Sequence, residues 1–188
     1  MSEPVRRSLT ERQTTLVQGL VDAAAVEVEE AGYDEITVRS IARRAGVAPA
    51  TAYTYFSSKD HLLAEVLWQR ATAEDVPDPD MTRPASVRVA QVVRDMGFGT
   101  GSPALVAACT TALLNNGPDV KAVRDKMGAE IARRLVTALG PATDPTVLRV
   151  LVITYTGAML AAGLGHLTFE ELPERVAEAA RLLLGETS

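Results

Sequence analysis

The sequence contains very few of the residues on which catalytic and metal sites depend. It has 188 residues with one cysteine, Cys109, and two histidines, His61 and His166. A single cysteine cannot close an intramolecular disulfide, and it excludes a zinc site built from several thiolates. The G-x-S-x-G and H-E-x-x-H motifs are also missing from the sequence. We therefore expect no enzyme, no cofactor and no metal, and we expect Cys109 to be a small buried apolar residue.

Aromatic residues make up only 4% of the chain, and apolar residues do not alternate with the period of two that strands require. They recur instead at spacings of three and four, which is typical of helices that bury one face. The sequence therefore predicts an all-α fold of about nine helices. One begins at Pro49, and the others cover about residues 8–31, 38–45, 59–72, 85–96, 103–115, 119–139, 145–167 and 170–185.

Signals for export or membrane insertion are weak. Basic residues near the N-terminus are not followed by the apolar run of a secretory signal. The most apolar segment, residues 147–165, is long enough to consider as a membrane span, but it contains Arg149, several hydroxyl groups and three glycines. We interpret it as a buried helix, and we expect a cytoplasmic protein with no membrane partner.

Acidic residues are absent from residues 36–59, a segment that holds four cations: Arg39, Arg43, Arg44 and Lys59. The formal net charge of the whole chain is −5, so this segment carries +4 and the remaining residues carry −9. A negative total argues against nonspecific coating of nucleic acid, whereas a local basic patch is what phosphate binding needs.

The same segment has the pattern of two short helices joined by a tight turn. Thr37 can cap the first helix, Gly46 ends it, and Pro49 opens the second. Ser57 with Asp60 fits a capping box for the helix that follows. Apolar residues at the inward positions can hold the two helices together: Val38, Ile41, Ala42, Val47, Ala52 and Phe56. This arrangement is a helix-turn-helix, whose second helix lies in the DNA major groove.

The stretch TVRSIARRAGVAPATAYTYFSSKDHLL, residues 37–63, resembles the DNA-binding signature of the TetR family of transcriptional regulators. The resemblance covers about residues 16–67. It implies a helix-turn-helix DNA-binding domain at residues 1–58 and a larger helical ligand-binding and dimerisation domain at residues 59–188, with residues 59–72 as the connector. The residues that it implies for DNA contact are Thr37, Arg39, Pro49, Ala50, Thr51, Tyr53, Thr54, Tyr55 and Lys59.

Two features depart from the family pattern. Ala48 stands where many relatives carry a Ser or Thr that caps the third helix, and a methyl group cannot accept that hydrogen bond. Between Ala48 and Phe56 there is also no Arg, Lys, Asn or Gln, the residues that make bidentate contacts with bases. We expect specificity to depend on Arg39, on thymine methyl groups and on DNA shape.

Other basic residues have two open interpretations. Arg43 and Arg44 either contact phosphate or are ordinary solvated charges on a helix surface. An N-terminal arm either reaches the DNA or is a disordered terminus. Its basic residues are Arg6, Arg7 and Arg12.

The resemblance also implies a dimer and a ligand cavity. In the family, the last two long helices pair with those of a second copy as a four-helix bundle. The residues expected on this face, which could instead pack within one chain, are Gly157, Ala161, Gly165, Val176, Ala180 and Leu183. The candidate cavity residues, each of which could instead be ordinary core, are Met96, Phe98, Leu105, Cys109, Leu113, Met127, Ile131, Leu135, Tyr155 and Met159.

These features lead to one main functional expectation. The protein is expected to be a homodimeric, ligand-responsive repressor that a small apolar effector releases from a palindromic operator in double-stranded DNA. An activator or corepressor-dependent regulator of the same fold is one alternative. A helical ligand-binding or scaffold protein without DNA affinity is the other.

Overall fold

A computed structural model describes residues 11–72, 77–96 and 101–186. Among these residues every regular element is an α-helix, which confirms the expected all-α fold. The nine helices of this part of the chain are α1 (Glu11–Ala31), α2 (Val38–Arg44), α3 (Pro49–Tyr55), α4 (Lys59–Thr72), α5 (Ala85–Asp95), α6 (Pro103–Leu113), α7 (Pro118–Leu139), α8 (Pro145–Gly163) and α9 (Leu172–Leu184).

Helices α2 and α3 form the expected helix-turn-helix, and α2 also packs against α1. Most of the inward residues are buried: Val38, Ile41, Ala42, Ala52 and Phe56. The ring of Phe56 meets the ring of His61 edge-on, with the centroids 5.3 Å apart. The end of α3 is therefore anchored to α4, and the opposite face of α3 is left to solvent.

Local interactions set the ends of these short helices. The Thr37 hydroxyl accepts a hydrogen bond from the Ser40 N–H, and the Ser40 hydroxyl accepts one from the Thr37 N–H, both at 3.0 Å. Gly46 has φ of +68°, a left-handed conformation that glycine adopts without a steric penalty. Ala48 precedes α3 as its N-cap residue and supplies no side-chain cap.

The start of α4 differs from the sequence prediction. Ser58, rather than Ser57, accepts a hydrogen bond from the His61 N–H at 3.0 Å. Asp60 is only 8% exposed, because its carboxylate is directed inward, toward Tyr33 and Asn115. The expected capping box of Ser57 and Asp60 is therefore wrong.

Helix α4 joins the two parts of the molecule. It packs against α1 on the N-terminal side and against α6 and α7 on the C-terminal side. Its apolar residues belong to one continuous core that includes side chains from α1 and from α9. A shift of α4 would consequently be felt in both parts, because close-packed interiors transmit small displacements.

Helix α8 differs from the expectation of a buried helix. By length and composition it could cross a membrane, yet only 17% of its most apolar stretch is buried within the chain. Leu151 and Tyr155 point inward, whereas Ile153 is 65% exposed. The described part of the chain fully buries one side of α8, and several of the other apolar side chains of this helix are only partly covered.

The connection between α8 and α9 is longer than the sequence predicted. The expected bounds left residues 168–169 between the helices, but α8 ends at Gly163 and α9 begins at Leu172. Gly165 follows the end of α8 with φ of +79°. The Glu171 carboxylate accepts a hydrogen bond from the Thr168 N–H at 2.9 Å, which holds an intervening turn.

Candidate nucleic-acid interface and ligand cavity

The residues expected to contact DNA are all at least partly accessible to solvent. Most of them are exposed: Thr37, Arg39, Pro49, Ala50, Tyr53 and Thr54. Thr51, Tyr55 and Lys59 are partly buried. Tyr55 packs against the core, so only part of its side chain is accessible.

The four cations of the basic segment are not equivalent in the folded chain. Arg39 and Arg43 are exposed on α2. Arg44 forms ion pairs with Glu27, at 2.9 Å, and with Glu30 on α1. These carboxylates raise the pKa of the Arg44 guanidinium, chiefly through the hydrogen bond to Glu27. Arg44 therefore joins α2 to α1, which favours its interpretation as a structural residue.

Lys59 is held by the turn between α1 and α2. Its ammonium donates a hydrogen bond to the Tyr33 carbonyl at 2.6 Å and lies 4.1 Å from the centre of the Tyr33 ring. A phosphate at this position would have to share the ammonium with that carbonyl. The sequence carried no signal for this contact, since the two residues are far apart along the chain.

Arg12 lies at the exposed start of α1. Arg6 and Arg7 fall outside the described residues, so the proposed N-terminal arm is represented by one of its three arginines.

The cavity in the C-terminal part has a volume of about 170 Å³ and lies between α6, α7 and α8. Five of the predicted residues line it: Leu113, Met127, Ile131, Tyr155 and Met159. Four others are core side chains outside its lining: Met96, Leu105, Cys109 and Leu135. Phe98 lies outside the described residues. Cys109 is 1% exposed, and burial raises the pKa of its thiol to about 12, which agrees with an unreactive apolar role.

Sequence reasoning missed six further lining residues: Thr110, Leu114, Arg124, Gly128, Thr156 and Leu160. Gly128 and Thr156 lie three residues before the predicted Ile131 and Met159, and Leu160 lies four residues after Thr156, so helical spacing could have identified them. Thr110 and Arg124 lie at the same spacing before Leu113 and Met127, but both are polar, and the predicted lining residues were mostly apolar.

The polar groups in this cavity wall are largely engaged by the protein's own backbone. The hydroxyls of Thr110 and Thr156 each donate to a carbonyl one helical turn earlier, at 2.8 Å. The Nη1 atom of Arg124 donates to the carbonyls of Leu113 and Asn115, at 2.5 and 3.0 Å. The wall therefore offers a ligand mainly apolar contact.

A second cavity, also of about 170 Å³, adjoins the first and extends toward α5 and the start of α9. Tyr155 and Met159 line both cavities. Tyr155 is 2% exposed, and burial raises the pKa of its phenol well above the usual value. Arg94 and Glu170 line the second cavity, which is consequently more polar than the first.

A third cavity, of about 370 Å³, lies between α1 and α4 and was not expected. Gln18, Asp22, Gln69 and Arg70 are among its lining residues. Such charged and amide groups suit a polar occupant and distinguish this cavity from the first.

The residues expected at a dimer interface separate into two groups. Gly157, Gly165 and Leu183 are exposed, and Ala161 is partly buried. Val176 and Ala180 are fully buried, because this face of α9 packs against α5 and α8 of the same chain. Those two residues therefore do not belong to an exposed face, which corrects the prediction for them.

Comparison with known proteins gives consistent matches. The family described as "Bacterial regulatory proteins, tetR family" matches residues 20–66. An HTH-type transcriptional regulator of Mycobacterium tuberculosis (strain ATCC 25618 / H37Rv) is 41% identical over 181 residues, covering 94% of this chain and 84% of that protein. The HTH-type transcriptional repressor KstR of Rhodococcus jostii (strain RHA1) is 26% identical over 179 residues, covering 90% and 82%. A TetR transcriptional regulator from Rhodococcus sp. RHA1 has a similar crystal structure, with a TM-score of 0.74, 24% identity, and coverage of 95% of this chain and 100% of that one.

Proposed function

Because the chain belongs to the TetR family of bacterial transcriptional regulators, we propose that it is a ligand-responsive repressor acting in the cytoplasm. A small apolar effector would release it from a palindromic operator. The observation that carries this proposal is the apolar cavity between α6, α7 and α8, in a chain whose helix-turn-helix presents an accessible face. Residues 1–58 would read DNA, and residues 59–188 would bind the effector and a second copy.

The exposed face of α3 would enter the major groove. Thr51 and Thr54 can contact base edges, while Arg39 can bind phosphate or a base. Arg43 is a second exposed cation on the same helix as Arg39. The face has little bidentate chemistry, so DNA shape would contribute to the choice of operator.

A second copy would cover the outer sides of α8 and α9. The exposed apolar residues of this region include Ile153, Leu164, Leu182 and Leu183. A symmetric dimer buries the same patch on both chains and presents two α3 helices to half-sites about 34 Å apart. The exposed side chain of Ile153 and the limited burial of this apolar helix within one chain support a second copy of this chain as the occupant.

The effector would be small and mainly apolar. Burial of apolar surface yields roughly 25 cal/mol per Å², and the engaged hydroxyls of Thr110 and Thr156 leave few polar groups to satisfy. Shifting a two-state equilibrium from 1:99 to 99:1 needs about 5.5 kcal/mol of differential binding. The effector must therefore bind much more tightly to the conformation that does not fit the operator, with α4 carrying the displacement.

The proposal is tested by fluorescence anisotropy with labelled DNA from upstream of the protein's own gene, measured over a range of salt concentrations. We expect sequence-selective binding that weakens with salt. Arg39→Ala should lower the slope of log affinity against log salt by about one. Lys121→Ala, which removes the same charge from the exposed surface of α7, is the matched control and should leave the slope unchanged.

The ligand part is tested by adding a series of n-alkanols to the same complex. Release of the DNA supports the proposed repressor, whereas tighter DNA binding supports a corepressor-dependent regulator. Absence of any sequence-selective complex would support a scaffold or ligand-binding protein and would end the proposal.

A further inference from the structure

We propose that the carboxylate of Asp60 couples the first cavity, between α6, α7 and α8, to the helix-turn-helix formed by α2 and α3. A chain of hydrogen bonds runs from Arg124 in the cavity wall through Asn115 and Asp60 to Tyr33, which lies beside the helix-turn-helix. This inference rests on the proposed function, and it names the residues that couple its two sites.

Asp60 occupies the centre of this series of hydrogen bonds. Its Oδ1 atom accepts a hydrogen bond from the Tyr33 hydroxyl at 2.6 Å, and its Oδ2 atom accepts one from the Asn115 amide at 2.8 Å. Asp60 is 8% exposed, so water has little access to replace either donor. A buried carboxylate that loses a donor is destabilised, which links the positions of Tyr33 and Asn115.

The cavity side of the chain begins at Arg124. This arginine lines the cavity and donates hydrogen bonds to the carbonyls of Leu113 and Asn115. These two hydrogen bonds hold the C-terminal end of α6. The Asn115 side chain is committed at both ends, since its Oδ1 atom accepts from the Gly117 N–H at 2.7 Å. A ligand that displaces Arg124 or Leu113 would therefore also displace the Asn115 amide.

The DNA side of the chain begins at Tyr33, in the turn before α2. The Tyr33 carbonyl accepts a hydrogen bond from the Lys59 ammonium, and the Tyr33 hydroxyl donates one to the Asp60 carboxylate. Burial and the hydrogen bond to Asp60 raise the pKa of Tyr33 to about 12. Thr37, which caps α2, follows four residues later, so movement of Tyr33 changes where α2 begins.

Other contacts also join α4 to the C-terminal part, and they supply a comparison. The ammonium of Lys126 lies 4.0 Å from the Glu65 carboxylate and 5.9 Å from the centre of the Trp68 ring. Both of these contacts are made with α4, so neither reaches the turn between α1 and α2. If any contact between α4 and the C-terminal part could carry the coupling, the contacts of Lys126 would carry it as well as those of Asp60.

The experiment replaces the unknown effector by a side chain that fills the cavity. Gly128 lines the first cavity, and a Cβ atom added there meets no neighbouring atom within 4 Å. Gly128→Leu should therefore act as a built-in occupant, while Gly128→Ala adds a methyl group and gives a control for helix propensity. Operator affinity is measured by fluorescence anisotropy for both variants, each in the wild-type, Tyr33→Phe, Asn115→Ala and Lys126→Met backgrounds.

We expect Gly128→Leu to weaken operator binding at least about tenfold in the wild-type and Lys126→Met backgrounds, within the usual range of allosteric coupling. In the Tyr33→Phe and Asn115→Ala backgrounds the loss should shrink to less than about threefold. Tyr33→Phe removes one hydroxyl and is the more conservative change, so it keeps the test valid if Asn115→Ala fails to fold.

A full loss that persists in the Tyr33→Phe background would overturn this inference and leave the proposed function standing. Loss of coupling in Lys126→Met with retention in Tyr33→Phe would also overturn it. If wild-type protein binds the operator and Gly128→Leu binds it equally well, the cavity does not control DNA binding. Both this inference and the ligand-release part of the proposed function would then fail.

Discussion

At the scale of single residues, the basic side chains of residues 36–59 have different roles. Arg44 pairs with carboxylates on α1, and Lys59 donates to the Tyr33 carbonyl. Arg39 and Arg43 remain exposed on α2. The count of four cations therefore overstates how many are available to bind phosphate, and Arg39 is the better position for testing the proposed DNA affinity.

We expect Met159 to limit how long a ligand the C-terminal part can hold. It lines both adjoining cavities, so Met159→Ala should join them into one elongated site. We expect the affinity for n-alkanols to keep rising by about fourfold per methylene beyond the chain length at which wild-type affinity levels off. Displacement of an environment-sensitive fluorescent dye measures this.

The matched control for Met159 is Met127→Ala. Met127 lines the first cavity but is not among the residues that line the second, so its truncation enlarges one cavity without joining the two. If Met127→Ala extended the chain-length limit as far as Met159→Ala does, Met159 would not be the partition.

Glu130 makes part of the protein's stability sensitive to acid. Its carboxylate accepts hydrogen bonds from Arg133, at 2.8 and 2.6 Å, and from Arg134, at 2.6 Å. These bonds, chiefly those from Arg133, lower the Glu130 pKa from 4.5 to about 2. Because the pKa is lower in the folded state, the ionised carboxylate stabilises the fold above pH 4.5, and this stabilisation is lost as the pH falls toward 2.

We therefore expect the free energy of unfolding to fall more steeply over this pH range in the wild type than in Glu130→Gln, as measured by urea titration. Glu178→Gln, which breaks an exposed pair with Arg175 at the same spacing, should retain the wild-type pH dependence. Parallel curves for wild type and Glu130→Gln would contradict the prediction.

At the scale of elements, the two helices of the helix-turn-helix are capped unequally. Thr37 and Ser40 form a full capping box at α2, whereas Ala48 gives α3 no side-chain cap. We expect Thr37→Ala to lower the free energy of unfolding by about 1 kcal/mol and Ala48→Ser to raise it by about 0.5–1 kcal/mol.

Urea denaturation measures both changes, with Thr54→Ala as the control. The Thr54 hydroxyl donates to the Ala50 carbonyl within α3 and caps nothing, so its loss should change stability by less than about 0.5 kcal/mol. An Ala48→Ser variant no more stable than the wild type would show that the start of α3 is held by other contacts.

At the scale of the whole molecule, the proposed dimer interface on the outer face of α8 would decide whether one helix-turn-helix or two meet the DNA. Ile153→Glu places a carboxylate on the proposed interface of both copies. We expect the dimer dissociation constant to rise at least about a hundredfold, because each chain then buries an unpaired charge. Sedimentation equilibrium measures the dissociation constant, and affinity for a palindromic operator should fall with it.

The control for this prediction is Val26→Glu on α1. Val26 is 40% exposed and lies outside the proposed interface, so the same substitution there should leave the association state unchanged. A dimer that survives Ile153→Glu would place the interface on another surface.

The sequence was most informative where a function depends on residues close together in the chain. The helix-turn-helix, with Gly46 at its turn and Phe56 in its core, was predicted in detail because one short segment contains the whole pattern. Five of the residues proposed on the family resemblance line the cavity, but the polar Thr110 and Arg124 were missed, since the sequence does not show which side chains face a cavity. Val176 and Ala180 illustrate the same limit: an apolar stripe does not reveal which neighbour covers it.

The sequence by itself therefore determined the all-α class, the helix-turn-helix and the family. Helical periodicity, turn residues and the basic segment are patterns that a few neighbouring residues define. Only the tertiary structure decided which cations are engaged within the chain and which apolar faces stay exposed. It also brought Tyr33, Asp60 and Asn115 into one hydrogen-bonded group. Such contacts join residues far apart in the chain, and helix packing, rather than local propensity, brings them together.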